Sequence, residues 1–200
     1  VIAKAGMSLD GRMTRPPGEG QWITGPAARR DAHRLRFHVD AILVGANTLR
    51  ADNPRLTIRG VGVPAGKAQP WRVVLSRGNS VIPLGAHLFT DEHRDRTLVY
   101  AGKSLAEVLC DLGSRGVCSL LVEGGGETLG AFFDAGLVDE VCFYMAPLIC
   151  GGTHSAVGGL GAAGTESAWK IADPSYQRVG RDLKLTGLVR RGEPPRSNGQ

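Results

Sequence analysis

Long apolar runs are missing from this chain. No stretch approaches the roughly 20 apolar residues that a membrane-crossing helix needs, which argues against a membrane bundle. The opening Val1-Ile2-Ala3-Lys4 lacks the charged-then-apolar pattern of a signal segment, so the expectation is a cytoplasmic protein. Cysteine is scarce: Cys110, Cys118, Cys142 and Cys150 form no C-x-x-C pair and have no histidine at zinc-finger spacing. Three of them lie in apolar stretches, where a free thiol behaves as a small hydrophobe, so no metal is expected. Internal repeats and low-complexity tracts are also lacking.

What is present fits a soluble globular domain. A chain of 200 residues, 42% hydrophobic and 22% charged, can bury a sizeable core. The net charge of +5 comes mostly from arginines in the first third: Arg12, Arg15, Arg29, Arg30, Arg34, Arg36, Arg50, Arg55 and Arg59. Such a balance suits nucleic acid or a phosphorylated small molecule. No nucleic-acid motif and no interleaving of aromatic and basic residues supports the first, and most of these arginines read as surface charge. The Gly/Pro-rich stretch from Gly60 to Pro70 reads as a surface loop, and 192–200 as a flexible tail after a domain over 1–191.

Short apolar runs alternate with amphipathic segments. Ala41–Val44, Arg72–Leu75, Leu98–Tyr100 and Ser119–Val122 are predicted buried strands, too short for helices. A helix is expected after Thr24 as N-cap with Pro26 in its first turn, presenting Ala28, Ala32 and Leu35 on one face. A second opens on the capping box Ser104-x-x-Glu107, presents Leu105, Val108, Leu109 and Leu112, and ends at Gly113. A third runs from about Gly126 to Ala135 and buries Leu129, Phe132 and Phe133. Val141–Pro147 and Leu183–Val189 follow as strands without a long helix between them. This order predicts an α/β fold: a mixed, mostly parallel central sheet flanked by helices and closed by antiparallel C-terminal strands. Such sheets bind nucleotides at the carboxyl ends of their parallel strands.

Three segments carry chemistry. In Leu120-Leu121-Val122-Glu123-Gly124-Gly125-Gly126-Glu127-Thr128-Leu129 a strand runs through three glycines into a helix. Consecutive glycines cost backbone entropy, and close approach to an anion at a helix N-terminus explains them better than a plain turn does. The spacing is not G-x-G-x-x-G, because Leu129 stands at the third glycine position. Glu123 reads equally as an acceptor for a polar heterocycle or as a helix-terminus carboxylate. Lys4, placed at the end of the first strand before Gly6-Met7-Ser8, reads as a solvated lysine unless burial beside a carboxylate makes it a proton donor. Asn47 to Arg59 is expected to be a loop, clustering Asp52, arginines and hydroxyls after a strand.

Together these pieces resemble the reductase of riboflavin biosynthesis, which in bacteria is usually the C-terminal half of a bifunctional deaminase–reductase. The matching residues are Lys4 to Arg12, Gln21-Trp22-Ile23-Thr24-Gly25, Ala28-Arg29-Arg30-Asp31, Val39 to Gly45, Asp52-Asn53-Pro54-x-Leu56-Thr57-x-Arg59, Val122-Glu123-Gly124-Gly125 and Ala135 to Glu140. The resemblance implies a dihydrofolate-reductase-like fold, NADPH as hydride donor, and reduction of 5-amino-6-(5-phosphoribosylamino)uracil to the ribitylamino compound. It implies cofactor contacts at Gly6, Met7, Trp22, Thr48, Asp52, Arg77 (toward the 2′-phosphate) and the stretch Gly125, Gly126, Glu127, Thr128, Leu129 to Ala131. It implies substrate contacts at Gly20, Arg36, Leu56, Arg59 and Glu123, with two arginines converging on one phosphate. Lys4, Asp52 and Glu123 are the candidate catalytic residues, Lys4 and Asp52 for proton supply and hydride positioning.

Three departures stand out. Gly20 replaces a frequent serine, Asn53 replaces a usual aspartate, and Arg15-Pro16-Pro17 stiffens the stretch before Trp22. No H-x-E followed by P-C-x-x-C occurs, so this chain holds no zinc deaminase. Beginning on the first strand, it reads as a stand-alone enzyme or as one separated from a deaminase half. The competing readings are another NADPH reductase on this fold (for dihydrofolate or a diaminopyrimidinone phosphate), a non-catalytic nucleotide-binding module and, more distantly, a nucleic-acid binder. The C-terminal strands leave a sheet edge or face that a homodimer would cover.

Overall fold

A computed structural model describes residues 1–13, 22–60, 62, 64, 66–78 and 81–192. Eight strands form one sheet: β1 (Ile2–Ser8), β2 (Ala41–Gly45), β3 (Trp71–Ser76), β4 (Thr97–Ala101), β5 (Leu120–Val122), β6 (Glu140–Ala146), β7 (Lys170–Val179) and β8 (Asp182–Arg190). Their order is β4-β3-β2-β5-β1-β6-β8-β7, parallel from β4 to β6 and antiparallel over β6-β8-β7. The expected mixed sheet is thus the one observed. All five residues of β2 are buried, as in a strand covered on both faces.

The alternation of side chains sorts the core into two layers. Ala3, Ala5, Leu43, Val73 and Val122 pack under α4 (Leu105–Ser114) and α5 (Gly126–Asp134), against Val108, Leu112, Leu129 and Phe132. Ile42, Val44, Val74 and Leu121 pack with Leu49, Leu56 and Leu88, on the face carrying α2 (Ala46–Asp52) and the short α3 (His87–Thr90). Ala28 and Ala32 of α1 (Pro26–Phe37) close on Cys142 and Tyr144.

Several expectations change. Of the loop expected from Asn47 to Arg59, only 53–59 is irregular; the residues up to Asp52 belong to a helix, α2, because Ala46 and Leu49 fall one turn apart and bury together. Asn53 ends it in the left-handed region (φ 40°) and its Oδ1 accepts the N–H of His87, so asparagine suits a backbone that few other side chains tolerate. Gly25, not Thr24, is the N-cap of α1. The capping box of α4 forms as expected, but the helix runs past Gly113 to Ser114, and Gly116 (φ 79°) supplies the turn. Cys110 and Cys118 are exposed, and only Cys142 is buried. The hairpin partner β7 escaped detection because its residues are mostly exposed and lack an apolar alternation. No described helix is long and apolar enough to cross a membrane. Arg15-Pro16-Pro17, Gly20 and the tail from 193 onward, for which the sequence also raises expectations, lie outside the described residues.

One buried cation ties the layer beneath α3 together. Arg72 of β3 is fully buried and donates to Asp91 Oδ2 (2.7 Å), to the Leu88 carbonyl (2.9 Å) and to the Arg55 carbonyl (3.3 Å). Burial pushes the Asp91 carboxyl up, but the Arg72 hydrogen bond and charge outweigh it and hold it below its ordinary 3.8. The pair therefore contributes fully above the ordinary carboxylate pKa and fades as acid protonates Asp91. Replacing Arg72 with Met strands the carboxylate and takes a donor from the Arg55 and Leu88 carbonyls, of which Leu88 keeps the Thr97 hydroxyl, and is expected to cost about 3 kcal/mol in urea denaturation at neutral pH. The gap between Arg72→Met and wild type narrows as the pH is lowered toward 3; a loss under about 1 kcal/mol, or a gap independent of pH, would contradict this role for the pair.

Candidate active site

The site arises from unequal strand lengths. β5 stops at Val122, and its pairing with β1 reaches only Ala3, whereas β1 runs on to Ser8 beside β6. From Lys4 onward the β5-facing edge of β1 opens into a crevice at the carboxyl ends of β1, β5 and β2. Lys4 therefore stands mid-strand, not at the strand end expected from the sequence. Ala3 and Ala5 are buried under α4 and α5, so Lys4 faces the side of α1 and α2.

Glu123, the first residue past β5, is held by its backbone N–H on the Leu43 carbonyl (2.9 Å). Its carboxylate is only 7% exposed and takes a two-point grip from Arg36 of α1, Nε to Oε1 at 2.7 Å and a terminal nitrogen to Oε2 at 2.8 Å. Lys4 Nζ stands 3.7 Å from Oε2. Burial alone pushes this carboxyl up; the Arg36 and Lys4 charges and the Arg36 hydrogen bonds overcome that and bring it to about 2. Burial likewise works against the Arg36 charge, and Glu123 more than restores it. The remaining guanidinium nitrogen of Arg36 donates to the Thr57 carbonyl (3.1 Å). Three of the N–H groups of Arg36 are thus given to Glu123 and Thr57. Arg59 remains: it is exposed and forms no ion pair among the described residues.

The glycine run has two kinds of reason. A Cβ on Gly124 would lie 2.6 Å from Thr128 Cβ, and one on Gly126 would collide with the Ser155 carbonyl. The segment 155–158 presses on α5 there, and Gly158 N–H donates to the Gly126 carbonyl (2.9 Å). Close packing therefore accounts for Gly124 and Gly126. Gly125 is different: a Cβ there would meet only Thr48 Oγ1, at 3.4 Å. It is the N-cap of α5 with no side-chain cap, and its N–H donates to Thr48 Oγ1 (3.1 Å). The anion-binding reading narrows to Gly125 and the first turn of α5.

Around this centre the other candidates are spread. Gly6 faces Thr24, whose Cγ2 would lie 3.3 Å from an added Cβ, and Met7 is half-buried. Trp22 is 54% exposed, with the Arg29 guanidinium 5.2 Å over its ring. Arg77 and Glu127 pair with each other at 2.8 Å on the rim of a groove of about 270 Å³ that also includes Ala131 and Asp134. Leu129 is fully buried in the core, so its side chain is not available to a cofactor. Leu56 is also core, buried along its whole length, and its backbone is left-handed (φ 49°). Asp52 is exposed at the end of α2.

Two site residues escaped the sequence reading. His33 lies one turn before Arg36, and its Nδ1 accepts the Arg59 N–H (3.3 Å); the signal was the i, i+3 spacing of His33 and Arg36 on a predicted helix. Asp182, buried at the start of β8, accepts the Gly25 N–H (2.7 Å) and so anchors the start of α1. Nothing local in the sequence marks it, because the partners are 157 residues apart.

Comparison with known proteins accords with this geometry. The family model described as the RibD C-terminal domain matches residues 1–185. The riboflavin biosynthesis protein RibD of Mycobacterium tuberculosis is 38% identical over 190 residues, covering 95% of this chain and 54% of that protein. This chain thus spans about half the length of the curated relatives it matches. The structure of Acinetobacter baumannii RibD superposes with a TM-score of 0.79 at 27% identity, covering 95% of this chain and 58% of that one. A diaminohydroxyphosphoribosylaminopyrimidine deaminase/5-amino-6-(5-phosphoribosylamino)uracil reductase of Thermotoga maritima superposes with a TM-score of 0.74 at 25% identity, covering 95% and 56%. With the buried Lys4–Glu123–Arg36 cluster in its crevice and a family match over nearly its whole length, the chain belongs to the RibD C-terminal domain family.

Proposed function

We propose that this chain is an NADPH-dependent reductase that converts 5-amino-6-(5-phosphoribosylamino)uracil into the ribitylamino compound. The observation that carries the reading is the buried Glu123 carboxylate between Arg36 and Lys4, at the strand ends where such a sheet receives ligands. The reaction adds a hydride to C1′ of the ring-opened sugar and a proton to the heteroatom that gains the electron pair. Lys4 projects from β1 into the crevice and serves as the proton donor, with Glu123 fixing its Nζ. Glu123 keeps lone pairs beyond those given to Arg36 and accepts hydrogen bonds from the pyrimidine. Arg59 meets the phosphate, and Asp52 with Lys4 orients the reacting groups.

The residues present fit a phosphorylated dinucleotide. The uncapped first turn of α5 and the Thr48 hydroxyl suit its phosphates, and the outward Arg77 suits the 2′-phosphate. Gly6, Met7 and Trp22 line the reduced ring, and Gly126, Glu127 and Thr128 complete the α5 side. When bound, NADPH supplies the hydride. Dihydrofolate is the less suited substrate, since a pterin gives Arg59 no phosphate to meet.

The half-buried strip of Phe143, Met145 and Leu185, with the more exposed Leu183 and Tyr176, is the face we assign to a second copy of this chain. Light scattering is expected to give twice the 21.1 kDa chain mass, falling to a monomer in Leu183→Glu; a wild-type monomer at micromolar concentration would dismiss the dimer.

NADPH oxidation is expected with the ribosylaminouracil phosphate and not with dihydrofolate, followed by absorbance in parallel assays. The opposite pattern, or oxidation with neither, ends the substrate assignment. Lys4→Met is expected to lower kcat by about 10²–10⁴-fold with a smaller change in KM. If Lys4→Met raises KM and leaves kcat intact, Lys4 is a binding residue and the proton comes from elsewhere.

A further inference from the structure

Among the described residues no strand pairs with the segment that carries Arg59, yet its backbone is bonded as if it lay along a sheet edge. The Thr57 carbonyl accepts from Arg36 (3.1 Å) and the Arg59 N–H donates to His33 Nδ1 (3.3 Å), both on the side of α1. Between them the Ile58 N–H donates to Gln69 Oε1 (2.7 Å) on the other side. In an extended chain, residues two apart present their polar groups to the same side. His33 and Arg36, three apart on a helix, share one face. Two side chains of α1 therefore replace the missing strand, one as donor and one as acceptor.

We propose that His33 is a positioning residue that fixes the place of Arg59 and thereby sets affinity for the phosphate end of the substrate, without touching the reacting atoms. The inference rests on the reading of Arg59 as a phosphate ligand. An arginine is useful there only if its backbone is held, because a free one spends side-chain and main-chain entropy on binding. Burial and the neighbouring Arg36 and Arg55 charges push the Arg59 guanidinium down, a setting that an anion relieves.

The acceptor role requires neutral imidazole with its proton on Nε2. Burial, with the Arg36 and Arg59 charges, lowers His33 to about 4; Glu123 opposes this and Lys4 adds to it. The ring therefore accepts the Arg59 N–H throughout the neutral range. A cation at position 33 would face Arg36, Arg59 and Lys4, and an aliphatic side chain would leave the N–H without its partner.

The test compares His33→Leu with His33→Asn, whose Oδ1 replaces Nδ1 as acceptor, using steady-state kinetics and calorimetric binding of ribose 5-phosphate to the full chain. His33→Leu is expected to raise KM for the phosphorylated substrate about three- to tenfold, with kcat within about twofold of wild type. It is expected to weaken ribose 5-phosphate binding by the same factor and to leave KM for the dephosphorylated substrate unchanged. His33→Asn restores both. Unchanged affinity in His33→Leu, an equal loss with the dephosphorylated substrate, failure of His33→Asn to rescue, or no ribose 5-phosphate binding by wild type each overturns the inference. If wild type binds ribose 5-phosphate, His33→Leu weakens it, and no aminouracil is reduced, the positioning role stands and the proposed reaction falls.

Discussion

A carboxylate removed from water is costly unless cations surround it, and Glu123 is the buried charge on which this site is built. Its oxygens are met by Arg36 from α1 and by Lys4 from β1, while its own backbone hangs on the end of β2. Three elements remote in sequence are thereby locked to one point. Removing Arg36 would take the two-point grip from Glu123 and leave only Lys4, 3.7 Å away, so the arrangement tolerates little drift. The same grip ties Arg36 to Glu123 and Thr57, while Arg59 is exposed.

Around that point the structure repeats one device, a buried or half-buried polar side chain standing in for missing secondary structure. Arg72 takes the carbonyls of Arg55 and Leu88, His33 and Arg36 take the edge of the Thr57–Arg59 segment, and Asp182 takes the N–H at the start of α1. Irregular chain near a site must satisfy its backbone groups somewhere. Here it does so through side chains from the rigid sheet and from α1, which keeps the residues between Asn53 and Arg59 in place despite two left-handed backbones, at Asn53 and Leu56.

The glycine run divides between packing and chemistry. Gly124 and Gly126 are required by Thr128 and by the segment 155–158, so α5 can approach its neighbours closely. That approach brings the uncapped N-terminus of α5 beside Thr48 and leaves Gly125 facing it. Tight packing and an anion-receptive helix end are here consequences of the same short side chains.

By itself the sequence determined the layer pattern and most of the elements, because buried parallel strands are continuous apolar runs and amphipathic helices repeat every three to four residues. The runs Ala41–Val44 and Ser119–Val122, the capping box at Ser104 and the segment Val122–Gly126 were legible for that reason. α2 was not, since seven residues with two buried side chains offer too little period; nor was β7, whose exposed residues carry no apolar alternation. Tertiary structure alone decided that Lys4 sits mid-strand beside an early-ending β5, that Arg36 grips Glu123, and that His33 holds Arg59. These contacts join segments far apart in the chain, 87 residues for Arg36 and Glu123 and more for β1 and β5, and long-range pairing follows from how a sheet is ordered, which no local spacing encodes.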